Sequence, residues 1–134
     1  MKPITAKRSD ALQIGSLVKV ADNSGAKLVK IVSVIAKKTK KGRHLSCGVA
    51  DLVKVSVRKG KPELKKQVLD AVIIRQRKPY RRLTGERICF EDNAVIILRD
   101  RKAGEPKGTQ VKGPVAREVI ERWPNVAKIV SIVV

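Results

Sequence analysis

Two apolar, β-branched runs enclose one dense cationic run in the segment Ala71-Val-Ile-Ile-Arg-Gln-Arg-Lys-Pro-Tyr-Arg-Arg-Leu-Thr-Gly-Glu-Arg-Ile-Cys-Phe-Glu-Asp-Asn-Ala-Val-Ile-Ile-Leu98. The flanking runs, Ala71–Ile74 and Ala94–Leu98, are typical of strands that must be buried. The central run, Arg75–Arg82, cannot enter a dry interior without partners, because unpaired buried charge is too costly. The segment therefore predicts two buried strands that form a rigid frame. Between them a charged ribbon, with Tyr80 near its tip, projects from the frame.

Strand-like runs recur along the rest of the chain. Gly15–Ala21 and Ala26–Ala36 flank the turn-forming sequence Asp22-Asn-Ser-Gly25, which predicts a hairpin. Residues 53–58 alternate valine with polar side chains, the period of a half-buried strand, and residues 59–63 read as a turn. Many short aliphatic strands at close spacing predict a mainly β fold, a small closed or nearly closed barrel.

The composition of the sequence changes after Leu98. Residues 99–113 are rich in glycine and charge and predict an extended loop. Pro114 suits the first turn of a helix, and residues 115–123 place Val115, Val119 and Trp123 on one apolar face. Pro124 ends this helix. The tail, residues 126–134, has an apolar density that demands burial, but its β-branching leaves helix and strand equally open. The side chains predicted to face outward from the helix are Arg117, Glu118, Glu121 and Arg122.

Composition bounds the class of protein. The chain has 134 residues, enough for one domain, here residues 1–134, with a helical C-terminal part at about 114–134. Its 31 Lys and Arg against 12 Asp and Glu give a formal charge of +19. So much like charge opposes a compact state unless counter-charge is near. The composition therefore predicts a nucleic-acid binder, with residues 1–14 as a basic arm that needs a partner to become ordered.

Other classes find little support in the sequence. Cys47 and Cys89 lie far apart and fit two reduced thiols packed as small hydrophobic groups better than a disulfide. A single His44 offers no metal set, so neither a metal nor a cofactor is expected. The beginning of the chain lacks the apolar region of a signal peptide, and no apolar run approaches about 18 residues. We expect a cytoplasmic protein without a membrane span.

Two pairs of residues suggest a catalytic centre only weakly. His44 and Cys47 lie close in sequence, but no third residue orients the imidazole. Glu91 and Asp92 are adjacent in a turn, where carboxylates more often cap the turn or pair with arginine. An enzyme acting on RNA is therefore the least favoured class.

Three cationic clusters, each between strand runs, are the candidate RNA-binding site. Such clusters need density rather than exact spacing, because the attraction of phosphates and the release of counterions do not depend on sequence. Tyr80 either stacks on an exposed base or covers the surface of the barrel, and the sequence leaves both open. The predicted RNA-binding residues are Lys37, Lys38, Lys40, Lys41, Arg43, Arg58, Lys59, Lys61, Arg75, Arg77, Lys78, Tyr80, Arg81 and Arg82.

Several segments carry a resemblance to one family. They are Val-Ala-Asp-Asn-Ser-Gly-Ala at 20–26, Gly-Val-Ala-Asp at 48–51, Lys-Gly-Lys-Pro-Glu at 59–63, the run at 71–82, Phe-Glu-Asp-Asn-Ala at 90–94 and Gly-Pro-Val-Ala-Arg-Glu at 113–118. The chain resembles the universal ribosomal protein fourteen family of the large subunit along nearly its whole length. The forms Arg75–Arg82 and Glu121–Pro124 are similar to the archaeal and eukaryotic branch. Ala50 stands where the family usually has glycine.

The resemblance implies a five-stranded β-barrel with a protruding β-ribbon and short C-terminal helices. It implies a structural protein that binds large-subunit ribosomal RNA near the subunit interface and contacts neighbouring ribosomal proteins. It also implies a bridge to small-subunit RNA and a docking surface for an anti-association initiation factor at Gly113–Trp123. Trp123 is then either core or a protein-contact anchor. The predicted protein-contact residues are Arg117, Glu118, Arg122 and Trp123. A free-standing nucleic-acid-binding module, such as an RNA chaperone or chromatin protein, is the alternative.

Overall fold

Five strands close into a barrel in the computed structural model, which describes residues 2–4, 6 and 8–134. The helices are α1 (Arg117–Arg122) and a 3₁₀ helix (Pro124–Ile129). The strands are β1 (Leu12–Gln13), β2 (Leu17–Val20), β3 (Ala26–Val34), β4 (Ser46–Cys47), β5 (Leu52–Gly60), β6 (Val68–Arg75), β7 (Tyr80–Arg81), β8 (Arg87–Ile88), β9 (Ala94–Asp100), β10 (Glu105–Pro106), β11 (Pro114–Val115) and β12 (Ile132–Val133).

The barrel runs in the order β2, β3, β5, β6, β9 and returns to β2. Its pairings are antiparallel except for the parallel contact that closes it, in which Lys19 and Val20 lie opposite Ala94 and Val95. The predicted hairpin at residues 22–25 is present between β2 and β3. β7 pairs with β8 to form a separate ribbon. The predicted mainly β fold, a closed five-stranded barrel with a β-ribbon and short C-terminal helices, is confirmed.

The apolar runs of β6 and β9 are continuous because both faces of these strands are covered. Ala71 and Ile73 belong to the core inside the barrel, whereas Val72 and Ile74 belong to a second core on its outer side. That second core also contains Tyr80 from the ribbon and residues of α1 and the 3₁₀ helix. A strand whose side chains alternate between two dry cores has no solvent face, so it shows no polar alternation.

The opposite wall, formed by β2, β3 and β5, has one bare face. The valines of the alternating run, Val53, Val55 and Val57, are buried inside the barrel, and Arg58 is exposed on the outside. Leu17 and Val32, at 58% and 43% exposed, lie on the same outer wall. The strand β5 continues to Gly60, so the predicted turn at 59–63 begins later than expected.

The C-terminal part differs from the prediction in its boundaries. Pro114 lies in β11 rather than in the first turn of a helix, and α1 has Ala116 as its N-cap. Pro124 ends α1 as predicted and begins the 3₁₀ helix. The tail contains both open alternatives, since it continues that helix and ends in β12, which runs parallel to β11. The predicted loop after residue 98 also contains the last residues of β9 and the short β10.

Two expectations about burial need correction. Cys47 is buried in the barrel core, as predicted, but Cys89 is exposed in the ribbon and is not packed. Glu118 was predicted to face outward and is only 4% exposed. Within residues 2–4, 6 and 8–134, no helix is long and apolar enough to cross a membrane.

Candidate nucleic-acid interface

The ribbon is fixed to α1 by a buried polar cluster. The Tyr80 hydroxyl donates a 2.8 Å hydrogen bond to Glu118 Oε2, and Arg82 Nε donates a 2.8 Å bond to Glu118 Oε1. Arg82 Nη2 also donates to the carbonyl oxygen of Val134 at 2.6 Å. These contacts join the ribbon, the helix and the C-terminus in one arrangement.

Tyr80 packs inside the protein. Its side chain is 1% exposed, and burial, together with the Glu118 carboxylate, raises the pKa of the phenol above its usual range. Of the two alternatives for Tyr80, the structure shows packing against the protein. A ring enclosed in this way is not available for stacking on a base, so the predicted RNA contact of Tyr80 is withdrawn.

Arg82 is also committed inside the protein. Burial lowers the pKa of its guanidinium, but the hydrogen bond and charge of Glu118 outweigh burial and raise it. A buried carboxylate requires such a partner, since an unpaired charge in the interior costs several kcal/mol. Arg82 therefore neutralises Glu118 and is removed from the set of RNA contacts.

Arg75 forms the base of the ribbon. Its Nε donates to Asp92 Oδ1 at 2.9 Å, and its Nη1 donates to the carbonyl oxygens of Lys112 and Pro114, both at 2.9 Å. The residue is 7% exposed. The guanidinium thus joins β6 to the C-terminal segment, and the predicted RNA contact of Arg75 is withdrawn as well.

The remaining cations of this cluster are exposed. They include Arg77, Lys78 and Arg81. Arg81 lies directly opposite Arg87 in the ribbon register. Like charges at opposed positions destabilise a strand pair, and an anion bound between them removes that repulsion. Arg87 was missed by the sequence analysis, although a hairpin drawn through Gly85 would have placed it opposite Arg81.

The loop between β3 and β4 divides into a fixed base and an exposed tip. Lys37 Nζ donates to Asp10 Oδ2 at 2.9 Å and to the Ser46 carbonyl at 3.1 Å, and it lies 3.1 Å from Asp51 Oδ2. Lys37 therefore serves the fold, and we remove it from the RNA contacts. The exposed cations of the tip are Lys38, Lys40, Lys41 and Arg43.

Asp51 is the acceptor that organises this end of the barrel. Arg8 donates to both of its carboxylate oxygens, at 2.7 and 2.6 Å, and the Gly48 N–H donates at 3.0 Å. Burial raises the pKa of the Asp51 carboxyl, but Arg8, Gly48 and Lys37 outweigh it, so the pKa lies below its ordinary value of 3.8. The N-terminal arm is held here. Of the predicted arm, residues 1, 5 and 7 lie outside the described residues.

The third cluster lies at the other end of the barrel. Val34 is opposite Val53 at the end of β3 from which the Lys37–Arg43 loop departs, whereas Ala26 is opposite Gly60 at the other end. Arg58, Lys59 and Lys61 are exposed around that second end. The exposed cations of the three clusters are thus divided between the two ends of the barrel.

The predicted protein-contact residues are mostly internal. Trp123 is 3% exposed, and its indole N–H donates to the Ala50 carbonyl at 3.0 Å, so it belongs to the core. Arg122 Nη1 donates to the same carbonyl at 3.2 Å and to Asp51 Oδ1 at 3.3 Å. Glu118 is buried in the ribbon cluster. Arg117 alone of the four predicted residues is exposed.

An exposed apolar surface at the C-terminus was missed by the sequence analysis. Ile132, Val133 and Val134 are 53%, 51% and 41% exposed, and Leu83 in the ribbon is 81% exposed. Arg82, next to Leu83, bonds to Val134, so the two groups are adjacent. The burial predicted for the tail is found for Val126, which is fully buried, but it is wrong for Ile132, Val133 and Val134, which form a surface.

The pairs considered for catalysis do not form a centre. The Cys47 thiol donates to the Leu12 carbonyl at 3.5 Å, and burial raises its pKa to about 12, which disfavours the nucleophilic thiolate. His44 is exposed in the loop, and Asp92 pairs with Arg75. Within the described part of the chain, no group of three or more His, Cys, Asp or Glu side chains could hold a metal ion.

Comparison with known proteins places the chain in a family. The family model described as Ribosomal protein L14p/L23e matches residues 11–134. The chain is 53% identical over 134 residues to the large ribosomal subunit protein uL14 of Nanoarchaeum equitans, covering 100% of both. It is 48% identical to the uL14 protein of Halobacterium salinarum, again covering 100% of both. The uL14 protein of Thermofilum pendens is 55% identical over 119 residues, 89% of this chain and 83% of that protein. These archaeal relatives confirm the archaeal and eukaryotic type. The chain belongs to the Ribosomal protein L14p/L23e family.

Proposed function

We propose that this chain is a structural constituent of the large subunit of the cytoplasmic ribosome and binds ribosomal RNA through the exposed cations at the two ends of its barrel. The protein is not an enzyme. The observation that carries the proposal is the division of its cations into two groups. Arg8, Lys37, Arg75, Arg82 and Arg122 bond to carboxylates or carbonyls of the protein. The exposed cations of the loop tip and of the β5 end are left for an external anion.

The internal cations fix the positions from which the exposed ones project. Lys37 holds the base of the loop, and Lys38, Lys40, Lys41 and Arg43 follow it within a few residues. Phosphate oxygens are attracted to such a cluster without requiring one geometry, and each phosphate neutralised adds about 0.7–0.9 to the slope of log affinity against log salt. The exposed cluster and its fixed base support electrostatic binding of phosphates.

A charge-removal series tests this proposal. The loop variant changes Lys38, Lys40, Lys41 and Arg43 to Gln, and the control variant changes Arg101, Lys102, Lys107 and Lys128 to Gln, all four being exposed cations outside the clusters. We expect the loop variant to lose association with the large subunit in sucrose gradients, whereas the control remains. Equal retention would contradict the proposal. A wild-type protein that leaves the subunit at high magnesium would support a free-standing nucleic-acid-binding module instead.

A bridge to small-subunit RNA is the second part of the proposal, and the ribbon is its candidate. The opposed Arg81 and Arg87 create a repulsion that an external phosphate would relieve. The variant with both residues changed to Gln should enter the large subunit but slow the joining of the subunits, measured by light scattering. The matched control is Arg101→Gln with Lys102→Gln, two exposed cations away from the ribbon. Normal joining by the ribbon variant would remove the ribbon from the bridge.

Docking of an anti-association factor is the third part. The docking surface predicted at Gly113–Trp123 is moved to the apolar surface of Leu83 and β12, because Glu118 and Trp123 of that segment are buried. Exposed apolar patches of this kind mark protein contacts. Ile132→Asp should abolish capture of the factor by isolated large subunits, while Val32→Asp, at a site of 43% exposure on the other wall, should not. Unchanged capture by Ile132→Asp would contradict this assignment.

A further inference from the structure

A cavity of about 520 Å³ opens between the β2–β3 turn, the end of β5 and the segment before β11. Four lysines line it, Lys19, Lys27, Lys59 and Lys112, and together they are called the lysine cavity below. Only Lys59 belongs to the predicted RNA-binding residues. The volume lies within the range of about 300–1,000 Å³ that is usual for ligand sites.

The four ammonium groups have no hydrogen-bond or ion-pair partner within the described part of the chain. The carboxylate in the lining, that of Asp22, offsets one of the four positive charges and forms no ion pair with the lysines. Its Oδ2 accepts a 2.8 Å bond from the buried N–H of Ile97, and its Oδ1 accepts a 3.1 Å bond from the N–H of Ser24. The lining therefore keeps its positive charge, in contrast to the paired cations near Asp51.

The walls of the lysine cavity are tied together. Asn23 Oδ1 accepts a 2.8 Å bond from the N–H of Thr109, and the N–H of Lys112 donates to the Ala21 carbonyl at 2.8 Å. Gly25 has φ +104, and its carbonyl accepts a 3.0 Å bond from the N–H of Lys61. A cavity framed by backbone bonds holds its charges in place before a ligand arrives, which lowers the ordering cost of binding.

We infer that the lysine cavity is a preformed site for the phosphodiester backbone of ribosomal RNA. Lysine ammonium groups act as point charges toward phosphate, and their donors do not require one orientation. No aromatic side chain lies in the described lining, so base stacking is not the source of binding. The inference rests on the proposed function and adds a defined phosphate site on the side of the barrel away from the Lys37–Arg43 loop.

Protection from acetylation tests the site on the unaltered chain. The full-length protein is treated with a lysine-acetylating reagent with and without a transcript of the large-subunit ribosomal RNA, and mass spectrometry measures each lysine. We expect the four cavity lysines to be protected by the RNA, whereas the exposed Lys102 and Lys128 should stay reactive. Equal reactivity of both groups in the complex would overturn the inference.

A variant with the four cavity lysines changed to Gln gives a second measurement. The control of equal charge changes the exposed Arg101, Lys102, Arg117 and Lys128 to Gln. We expect the salt slope of binding to the same transcript to fall by about 0.7–0.9 for each phosphate lost, and to fall less in the control. Equal slopes in the two variants would overturn the inference. If the slopes are equal and the cavity variant is also lost from the assembled subunit, the cavity binds an acidic segment of a neighbouring protein instead.

The loop variant at Lys38, Lys40, Lys41 and Arg43 separates this inference from the proposed function. Failure of the wild-type protein to bind the transcript would contradict both the proposed function and the inference about the lysine cavity. If the loop variant binds the transcript more weakly and the cavity variant binds it as the wild type does, the inference about the lysine cavity alone is overturned.

Discussion

Arg82 Nε lies 2.8 Å from Glu118 Oε1, and the two side chains are only 9% and 4% exposed. The pair joins the ribbon to α1, and Tyr80 completes it through the second carboxylate oxygen. Arg82 and Glu118, which the sequence predicts as external contacts, are thus each other's partner. A sequence cannot reveal such a pair directly, because residue 82 and residue 118 belong to different elements.

Arg82→Glu should lower the free energy of unfolding strongly, whereas Arg81→Glu should hardly change it. The substitution at residue 82 places two carboxylates in one buried site, and breaking a buried pair costs about 3–5 kcal/mol of the free energy of unfolding. Arg81 is exposed, and its substitution should change that free energy by about 0.5 kcal/mol or less. Urea denaturation monitored by circular dichroism measures both. Similar midpoints for the two variants would show that the Arg82–Glu118 pair does not hold the ribbon.

Asp51→Asn should release the N-terminal arm. The change leaves Arg8, Lys37 and Arg122 beside a neutral amide, so we expect a loss of about 3 kcal/mol in the free energy of unfolding and faster proteolysis near Arg8. Asp100→Asn, on an exposed carboxylate, is the control. Equal protease resistance of the two variants would contradict the role of Asp51.

The same carboxylate makes stability depend on pH in acid. The pKa of Asp51 is lower in the folded protein than its ordinary value of 3.8, so the unfolded chain binds more protons in this window. The stabilisation is therefore complete above about pH 5 and is lost as the pH falls through the folded pKa. Thermal unfolding between about pH 2 and pH 6 should show a smaller acid dependence for Asp51→Asn than for the wild type. Parallel curves would argue against this linkage.

The barrel could be predicted because its signals are local. The turn at Asp22–Gly25, the alternation of Val53, Val55 and Val57, and the apolar runs of β6 and β9 each specify a strand or a hairpin within a few residues. The positions of charged groups could not be predicted in the same way. Whether an arginine is exposed depends on the distant carboxylate that it meets, as for Arg75 with Asp92 and Arg82 with Glu118.

The sequence predicts that clustered cations form the candidate site, but it does not predict which of these side chains are exposed. Charge density located the loop tip and the β5 end, since these cations lie close together in sequence. The lysine cavity was missed because Lys19, Lys27 and Lys112 are isolated in sequence and meet only when the barrel closes. The exposure of Ile132, Val133 and Val134 was missed for a related reason, since apolar composition does not distinguish a core strand from a contact surface.

The two thiols should differ sharply in reactivity. Burial raises the pKa of Cys47 to about 12, so its thiolate is scarce near neutral pH, whereas Cys89 is exposed. With an aromatic disulfide reagent at about pH 8, we expect Cys89 to react quickly in the native protein and Cys47 only after unfolding in guanidinium. Cys89→Ser provides the control, since it should show no fast phase. Fast reaction of both thiols in the native wild type would contradict the burial of Cys47.

Ala36→Gly should stabilise the protein, and Ala50→Gly should be close to neutral. Both alanines occupy the left-handed region, with φ of 64° and 70°, which costs a residue with a Cβ about 1–2 kcal/mol relative to glycine. Replacement by glycine relieves this strain, but it also gives the unfolded chain more conformational freedom, which lowers the free energy of unfolding by about 0.5–1 kcal/mol.

Ala36 is exposed, so a net gain of about 0.5 kcal/mol in the free energy of unfolding remains there. Ala50 is fully buried, and the loss of its methyl group removes about 0.8 kcal/mol more. Ala103→Gly, at an exposed position outside the left-handed region, is the control and should destabilise the protein. Guanidinium denaturation at equilibrium measures the three variants. A loss of stability in Ala36→Gly equal to that in Ala103→Gly would show that the left-handed backbone at residue 36 carries no cost.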